Sequence, residues 1–321
     1  MLFRSPLDRI LTLEAARVTE AAAVRVAMLR GRGDEHAADQ AAVEGMRESF
    51  NQLPIEGTVV IGEGERDEAP MLFIGEKVGA GGVKVDIALD PLEGTTLTAK
   101  YSPNALAVMA MAEHGTLLNA PDTYMDKIAI GGGYPKGTID LDADPSENIL
   151  SLAKAKGVKP NEITACILDR PRHEKIIAGV RKVGASVQLI SDGDIAGVIA
   201  TTDPATGIDI YMGQGGAPEG VLAAAALRCV GGQLQTRLVF RNDDERGRAD
   251  KMGIRDFNRK YDLNDLASGD VVFSATGVTN GTMLDGVKLI GPYVETHTIV
   301  MRSSTGTIRW IKMRQKRSDV R

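Results

Sequence analysis

Between Ile163 and Val230 the sequence switches repeatedly from strand to helix periodicity, and this alternation constrains the fold more than any other feature. Ile163–Leu168, Ser186–Ile190 and Ile208–Met212 are short apolar runs, while His173–Val183, Ile195–Ala200 and Glu219–Val230 read as helices. Strand and helix in turn predict a largely parallel sheet covered by helices, an α/β arrangement.

The N-terminal half is patterned differently. Ser5-Pro6 with Asp8 reads as a helix start. From there Leu7, Leu11, Ala15, Val18, Ala22, Val26 and Leu29 recur at steps of three and four, one apolar stripe that stops at Gly31-Arg32-Gly33. A second helix is predicted from Glu35 to Gln52, with Val43, Met46 and Phe50 on its apolar face. One turn further back the same face meets Asp39, so a carboxylate is expected to point inward. Four β-rich runs follow at Thr58–Ile61, Val83–Leu89, Leu106–Ala112 and Lys127–Ile130.

A chain of 321 residues buries roughly three-quarters of its unfolded surface on folding and needs no disulfide or structural metal to do so. Two domains are expected: residues 1–150, N-terminal helices on a sheet, and residues 151–321, a second alternating α/β domain. Asn148–Lys156 reads as a helix at their boundary. The second domain is predicted to close in a hairpin, Val294–Arg302 and Thr307–Lys312, around Ser303-Ser304-Thr305-Gly306. Arg241–Asp265 is rich in charge and poor in apolar period, which fits either an exposed, mobile excursion or a solvated helix. The basic tail Lys312–Arg321 reads as a frayed end.

A formal charge of −5 is the wrong sign for holding polyanions, so nucleic acid and anionic membrane are excluded as partners. Aromatic residues make up 4% of the chain, too few for base-stacking platforms. Cys166 and Cys229 form no CxxC, and His36, His114, His173 and His297 have no zinc spacing. A reducing cytoplasm is therefore the expected location. The chain has no run of about 18 apolar residues and no secretory core near Met1, so neither an anchor nor a targeting signal is expected.

The chemistry concentrates at Val85-Asp86-Ile87-Ala88-Leu89-Asp90-Pro91-Leu92-Glu93-Gly94-Thr95-Thr96. A strand is expected to end at Asp90, where Pro91 turns the chain and lets Asp90 and Glu93 converge. Gly94 admits a ligand close to the backbone, and Thr95-Thr96 can open a helix that favours a phosphate. Surface acids on a capped turn would explain Pro91 and Gly94, but not a second acid at this spacing. Glu63 follows the Thr58–Ile61 run between two glycines, and Glu219 stands at a helix start in Gly215-Gly216-Ala217-Pro218-Glu219-Gly220. Taken alone, the first reads as a solvated acidic loop. The second is equally well explained as an acid complementing a helix dipole. Together with Asp39, Asp90 and Glu93 they form a set of like charges that cations must separate. Oxygen ligands alone select Mg²⁺ or Mn²⁺, and two such ions can clamp a phosphoryl group.

Val59-Val60-Ile61-Gly62-Glu63-Gly64-Glu65, Asp67-Glu68-Ala69-Pro70-Met71-Leu72, Asp90-Pro91-Leu92-Glu93-Gly94-Thr95, Asn119-Ala120-Pro121-Asp122, Gly215-Gly216-Ala217-Pro218-Glu219-Gly220 and Phe273-Ser274-Ala275-Thr276-Gly277 resemble the class II fructose-1,6-bisphosphatases of bacteria. These belong to the lithium-sensitive sugar and inositol phosphatase superfamily, with its layered α/β sugar-phosphatase fold. The resemblance spans nearly the whole chain. It implies a gluconeogenic hydrolase with Mn²⁺ or Mg²⁺ as cofactor, and Asp39, Glu63, Asp90, Glu93 and Glu219 as metal-site carboxylates. It also implies that Thr95 orients the attacking water; we assign its proton contacts to Asp39 or Glu63.

On the substrate side the resemblance implies Glu93, Gly94, Thr95, Tyr124, Arg170, Arg172, Asp192, Asp194 and Gly216. Arg170 and Arg172 would hold the remote phosphate, since arginine suits bidentate phosphate recognition. Asp192 and Asp194 would accept from sugar hydroxyls or cap the next helix. The expected partner is a small sugar bisphosphate, and the expected assembly a homo-oligomer. The alternatives are a dual fructose and sedoheptulose bisphosphatase, an inositol or nucleotide phosphatase, and a sugar-phosphate sensor that performs no chemistry.

Overall fold

The computed structural model describes Leu7 and residues 9–64 and 71–317. The expected helix start at Ser5-Pro6-Asp8, the acidic run from Glu65 to Glu68 with Ala69-Pro70, and the last four residues of the basic tail lie outside the described residues. The chain is α/β and divides into two compact units, Met1–Leu117 with Gly269–Arg321, and Leu118–Ser268.

In the first unit the helices Arg9–Val26 and Glu35–Phe50 pack on a mixed sheet. The predicted stripe holds: Leu7, Leu11, Ala15, Val18, Ala22 and Val26 are all buried. They meet Val85, Ile87 and Leu89 of the strand Val83–Glu93, and Ala107, Met109 and Met111 of the strand Leu106–Glu113, in one apolar cluster. Burying each Leu or Val in this way contributes roughly 1.5–3 kcal/mol before entropy is counted. Polar contacts add register. Thr19 Oγ1 lies 2.9 Å from Ser274 Oγ and accepts from Thr276 Oγ1 at 2.8 Å, fixing the first helix against the strand Val271–Gly277.

The division falls elsewhere than at residue 150, because strand pairing decides it. Val271–Gly277 runs antiparallel to Leu106–Glu113 along its whole length, and Tyr293–Arg302 pairs with Val271–Gly277. The C-terminal hairpin, Tyr293–Arg302 with Thr307–Lys316, therefore completes the first sheet and not the second. Conversely, Tyr124–Ile130, assigned by sequence to the first domain, lies in the second sheet between Ile210–Gly216 and Gln233–Val239.

That second sheet is mixed where a largely parallel one was expected. Thr164–Leu168 pairs in parallel with Ser186–Ile190 and Ile210–Gly216, as the alternation predicted. Tyr124–Ile130 pairs antiparallel on both sides, and Tyr261–Asp262 pairs antiparallel with Gln233–Val239. The charged stretch after Arg241 is ordered as the helix Asp243–Lys251, capped by Asn242, followed by the short strand and the turn of helix Leu263–Leu266. Among the described residues no helix is long and apolar enough to cross a membrane.

Candidate active site

Asp90 and Glu93 are three residues apart, and in a regular strand an odd separation puts side chains on opposite faces. The structure resolves this with a bulge. Instead of ending at Asp90, the strand continues to Glu93, with Asp90 opposite Val108 and Glu93 opposite Leu106. One extra residue on this strand resets the phase, so both carboxylates stand on the face shared by Leu106 and Val108. Pro91 sits in the bulge, where no ladder hydrogen bond is asked of it. Asp90 Oδ1 accepts from the Leu92 N–H at 3.0 Å, which shapes the turn.

Gly94 then adopts a left-handed conformation, φ 89°, and caps the short helix Thr95–Ala99, so Thr95 follows Glu93 by a sharp change of direction. Gly31 N–H and Gly33 N–H donate to the carbonyls of Thr98 and Ala99 at 2.9 and 3.1 Å, tying this helix to the loop that precedes Asp39's helix. Asp34 caps that second helix by accepting from Ala37 N–H at 2.9 Å. Asp39 continues the face of Val43, Met46 and Phe50 and is half-buried. Burial raises its carboxyl, against the pull of nearby His36.

Glu63 follows the strand Ile55–Ile61, and its N–H donates to the Leu72 carbonyl at 3.1 Å. Gly62 permits that approach, since a Cβ there would stand 2.1 Å from the same carbonyl oxygen. The Glu63 carboxyl is pushed up to about 9, first by burial, then by the negative charges of Asp90 and Asp39. Glu63 therefore lies within electrostatic reach of both Asp90 and Asp39. Three acids crowded in this way cannot all ionise cheaply without a cation among them. Among the described residues no three His, Cys, Asp or Glu side chains are gathered tightly enough to hold an ion by themselves.

The second unit gathers another set. Tyr124 pairs with Gly216 and with Val239, so three strand ends lie side by side. Arg172 reaches this corner, donating from Nη2 to the Gln214 carbonyl at 2.8 Å, with its guanidinium 5.0 Å from the Tyr124 ring centre. Arg170 lies 4.0 Å from the Asp192 carboxylate and donates to its neighbour Asp169's carbonyl. Gly216 precedes the helix Ala217–Val230, and a Cβ there would stand 1.9 Å from Glu219 Oε2, so the carboxylate folds back on the glycine.

Asp194 opens the helix Asp194–Ala200. It is 6% exposed, and its Oδ2 pairs at 2.5 Å with Lys127, which is fully buried. Asp192 is the more exposed acid of the pair. A Cβ at Gly215 would stand 1.9 Å from Asp194 Oδ2, so this glycine too makes room for an acid.

Sequence reasoning missed three residues here. Lys127 shares the strand phase of the buried Met125 and Ala129, a charge on an apolar face that marked it for a buried partner. His173 is buried, with Nδ1 2.7 Å from the Leu168 carbonyl and Nε2 accepting from Gln214 N–H at 2.8 Å. Burial lowers its pKa, and the acceptor nitrogen requires a neutral ring. This imidazole joins two diverging parallel strands and seats the Arg170–Arg172 turn. Arg241 is the third; its guanidinium stands 4.8 Å from the Tyr124 ring centre.

Residues 9–315 match the family described as bacterial fructose-1,6-bisphosphatase, glpX-encoded. The chain is also 46% identical to fructose-1,6-bisphosphatase 1 class 2 of Escherichia coli strain K12, over 95% of each chain. The fructose-1,6-bisphosphatase class 2 of Shigella flexneri is equally similar over the same shares. The chain belongs to this family. Its members are metal-dependent phosphoric monoester hydrolases, which fits the charge that Asp90 and Asp39 place on Glu63. Burial pushes the Cys166 thiol up to about 12, which keeps this cysteine from serving as a thiolate at neutral pH.

Proposed function

We propose that the chain hydrolyses the 1-phosphate of fructose 1,6-bisphosphate by direct attack of water, releasing fructose 6-phosphate and inorganic phosphate, with Mg²⁺ or Mn²⁺ as the required ion. Family membership supplies the substrate. The observation that carries the mechanism is the crowding of Glu63 with Asp90 and Asp39.

Asp39, Glu63, Asp90 and Glu93 are the ligands proposed from the first unit. Glu219 is retained as a fifth on the strength of the sequence pattern. A divalent ion bound by such oxygens neutralises charge on the phosphoryl group and lowers the pKa of water. The Thr95 hydroxyl accepts from the attacking water and donates to Asp39 or Glu63, which aligns the water's lone pair with phosphorus. From the first unit Glu93 and Gly94 are the substrate contacts of this reading; from the second, Gly216 is another, Asp192 accepts from a hydroxyl, and Arg170 and Arg172 with Tyr124 hold the remote phosphate. A cytoplasmic location belongs to the same reading, since the chain has two cysteines and no CxxC. So does a homo-oligomer, which sedimentation of the purified protein checks.

Phosphate release tests the proposal. Fructose 1,6-bisphosphate should turn over far faster than inositol or nucleotide monophosphates. Comparable turnover of sedoheptulose 1,7-bisphosphate would widen the substrate class. A preference for the monophosphates, or binding without turnover, would overturn the reading.

A further inference from the structure

We infer that Arg241 contacts the remote phosphate of the substrate beside Arg172, and that buried Glu245 orients it for that task. The inference rests on the reading of Arg172 given above.

Arg241 follows the strand Gln233–Val239, whose last residue pairs with Tyr124. It therefore enters the same corner as Gly216 and Arg172. Its guanidinium carbon lies 4.8 Å from the Tyr124 ring centre and that of Arg172 lies 5.0 Å from it, so the two cations are within about 10 Å of each other. Arg172 donates to a neutral carbonyl, that of Gln214, and its charge is left for an anion. A phosphate that accepts from both guanidinium groups would draw the two side chains together.

Glu245 is 1% exposed, and both of its oxygens are used on Arg241. Oε2 accepts the Arg241 backbone N–H at 2.7 Å, and Oε1 accepts from Nε at 2.5 Å. Seating the adjacent helix does not require this arrangement, because Asn242 Oδ1 already caps it by accepting Glu245 N–H at 2.9 Å. A buried acid spent on one exposed arginine fixes a side chain that otherwise loses much rotamer freedom on binding. Glu245 engages Nε and Nη2, so the phosphate contact of this inference is made through Nη1.

The test uses the full chain with Mg²⁺ and measures binding of fructose 6-phosphate, which carries the remote phosphate alone, by calorimetry. Arg241→Gln should weaken binding about tenfold, the scale of one charge-assisted contact. KM for the bisphosphate should rise in parallel, while kcat changes less than about threefold. Glu245→Gln keeps the cation but loosens it, and should weaken binding by a smaller factor. If Arg172→Ala weakens binding and Arg241→Gln does not, the inference is overturned while the proposed function stands. If neither variant weakens it, the reading of this corner as a phosphate site fails, and the inference fails with it. Should Arg241→Gln not fold, Arg241→Met decides, because it keeps an apolar stem and removes the charge: unchanged affinity there also overturns the inference.

Discussion

Replacing Glu63 with Gln should stabilise the metal-free protein while weakening its response to metal. The Glu63 carboxyl rises from 4.5 in the unfolded chain to about 9 in the fold. A group whose pKa is raised by folding contributes its full stability below the unfolded value and loses it as pH climbs towards the folded one. At pH 7 the loss is two and a half pH units at about 1.4 kcal/mol each, or roughly 3.5 kcal/mol. Gln has the same shape and no charge, so it removes this loss and eases the repulsion on Asp90 and Asp39. Thermal unfolding in a chelator, followed from pH 4.5 to 8, is the assay. The Gln variant should melt above wild type at pH 7 to 8, and the gap should close towards pH 4.5. Added Mn²⁺ should raise the wild-type Tm more than the variant's, and wild-type metal affinity should increase with pH, because the ion must displace a proton. A variant less stable than wild type at pH 7 in chelator, or a gap independent of pH, would refute the like-charge argument.

Thr95→Ala should lower kcat by about 10²- to 10⁴-fold while fructose 6-phosphate binding stays within a few-fold, and Thr95→Ser should retain more activity than Ala. Parallel kinetics and calorimetry check this, and normal turnover in the Ala variant would move the water-positioning role elsewhere. Lys127→Met leaves Asp194 buried without its cation, and should cost about 3–5 kcal/mol in denaturant unfolding. A loss under 1 kcal/mol would show that the pair is solvated.

What the sequence made legible was local. The first helix's apolar stripe, the alternation from Ile163 to Val230 and the acid-rich turn at Asp90 all depend on spacings within a few residues, and the structure builds on each. The bulge at Pro91 was out of reach because it is defined by counting against Val108 and Leu106 on a partner strand. Domain membership failed for the same reason. Val271–Gly277 pairs with a strand more than 150 residues earlier, and its uniformly buried residues show no alternation to betray a strand. Lys127 and Asp194 are likewise 67 residues apart, so the sequence offered two charges and no sign that each answers the other.

The most direct measurement for the account as a whole is phosphate release from fructose 1,6-bisphosphate by exhaustively chelated protein, with metal removal verified, as Mg²⁺ or Mn²⁺ is added back. An all-oxygen carboxylate cluster predicts no turnover at the start and saturable recovery with either ion. It further predicts no recovery in Asp90→Asn that remains folded. Undiminished hydrolysis after metal removal, or full recovery in the Asp90 variant, would contradict the account.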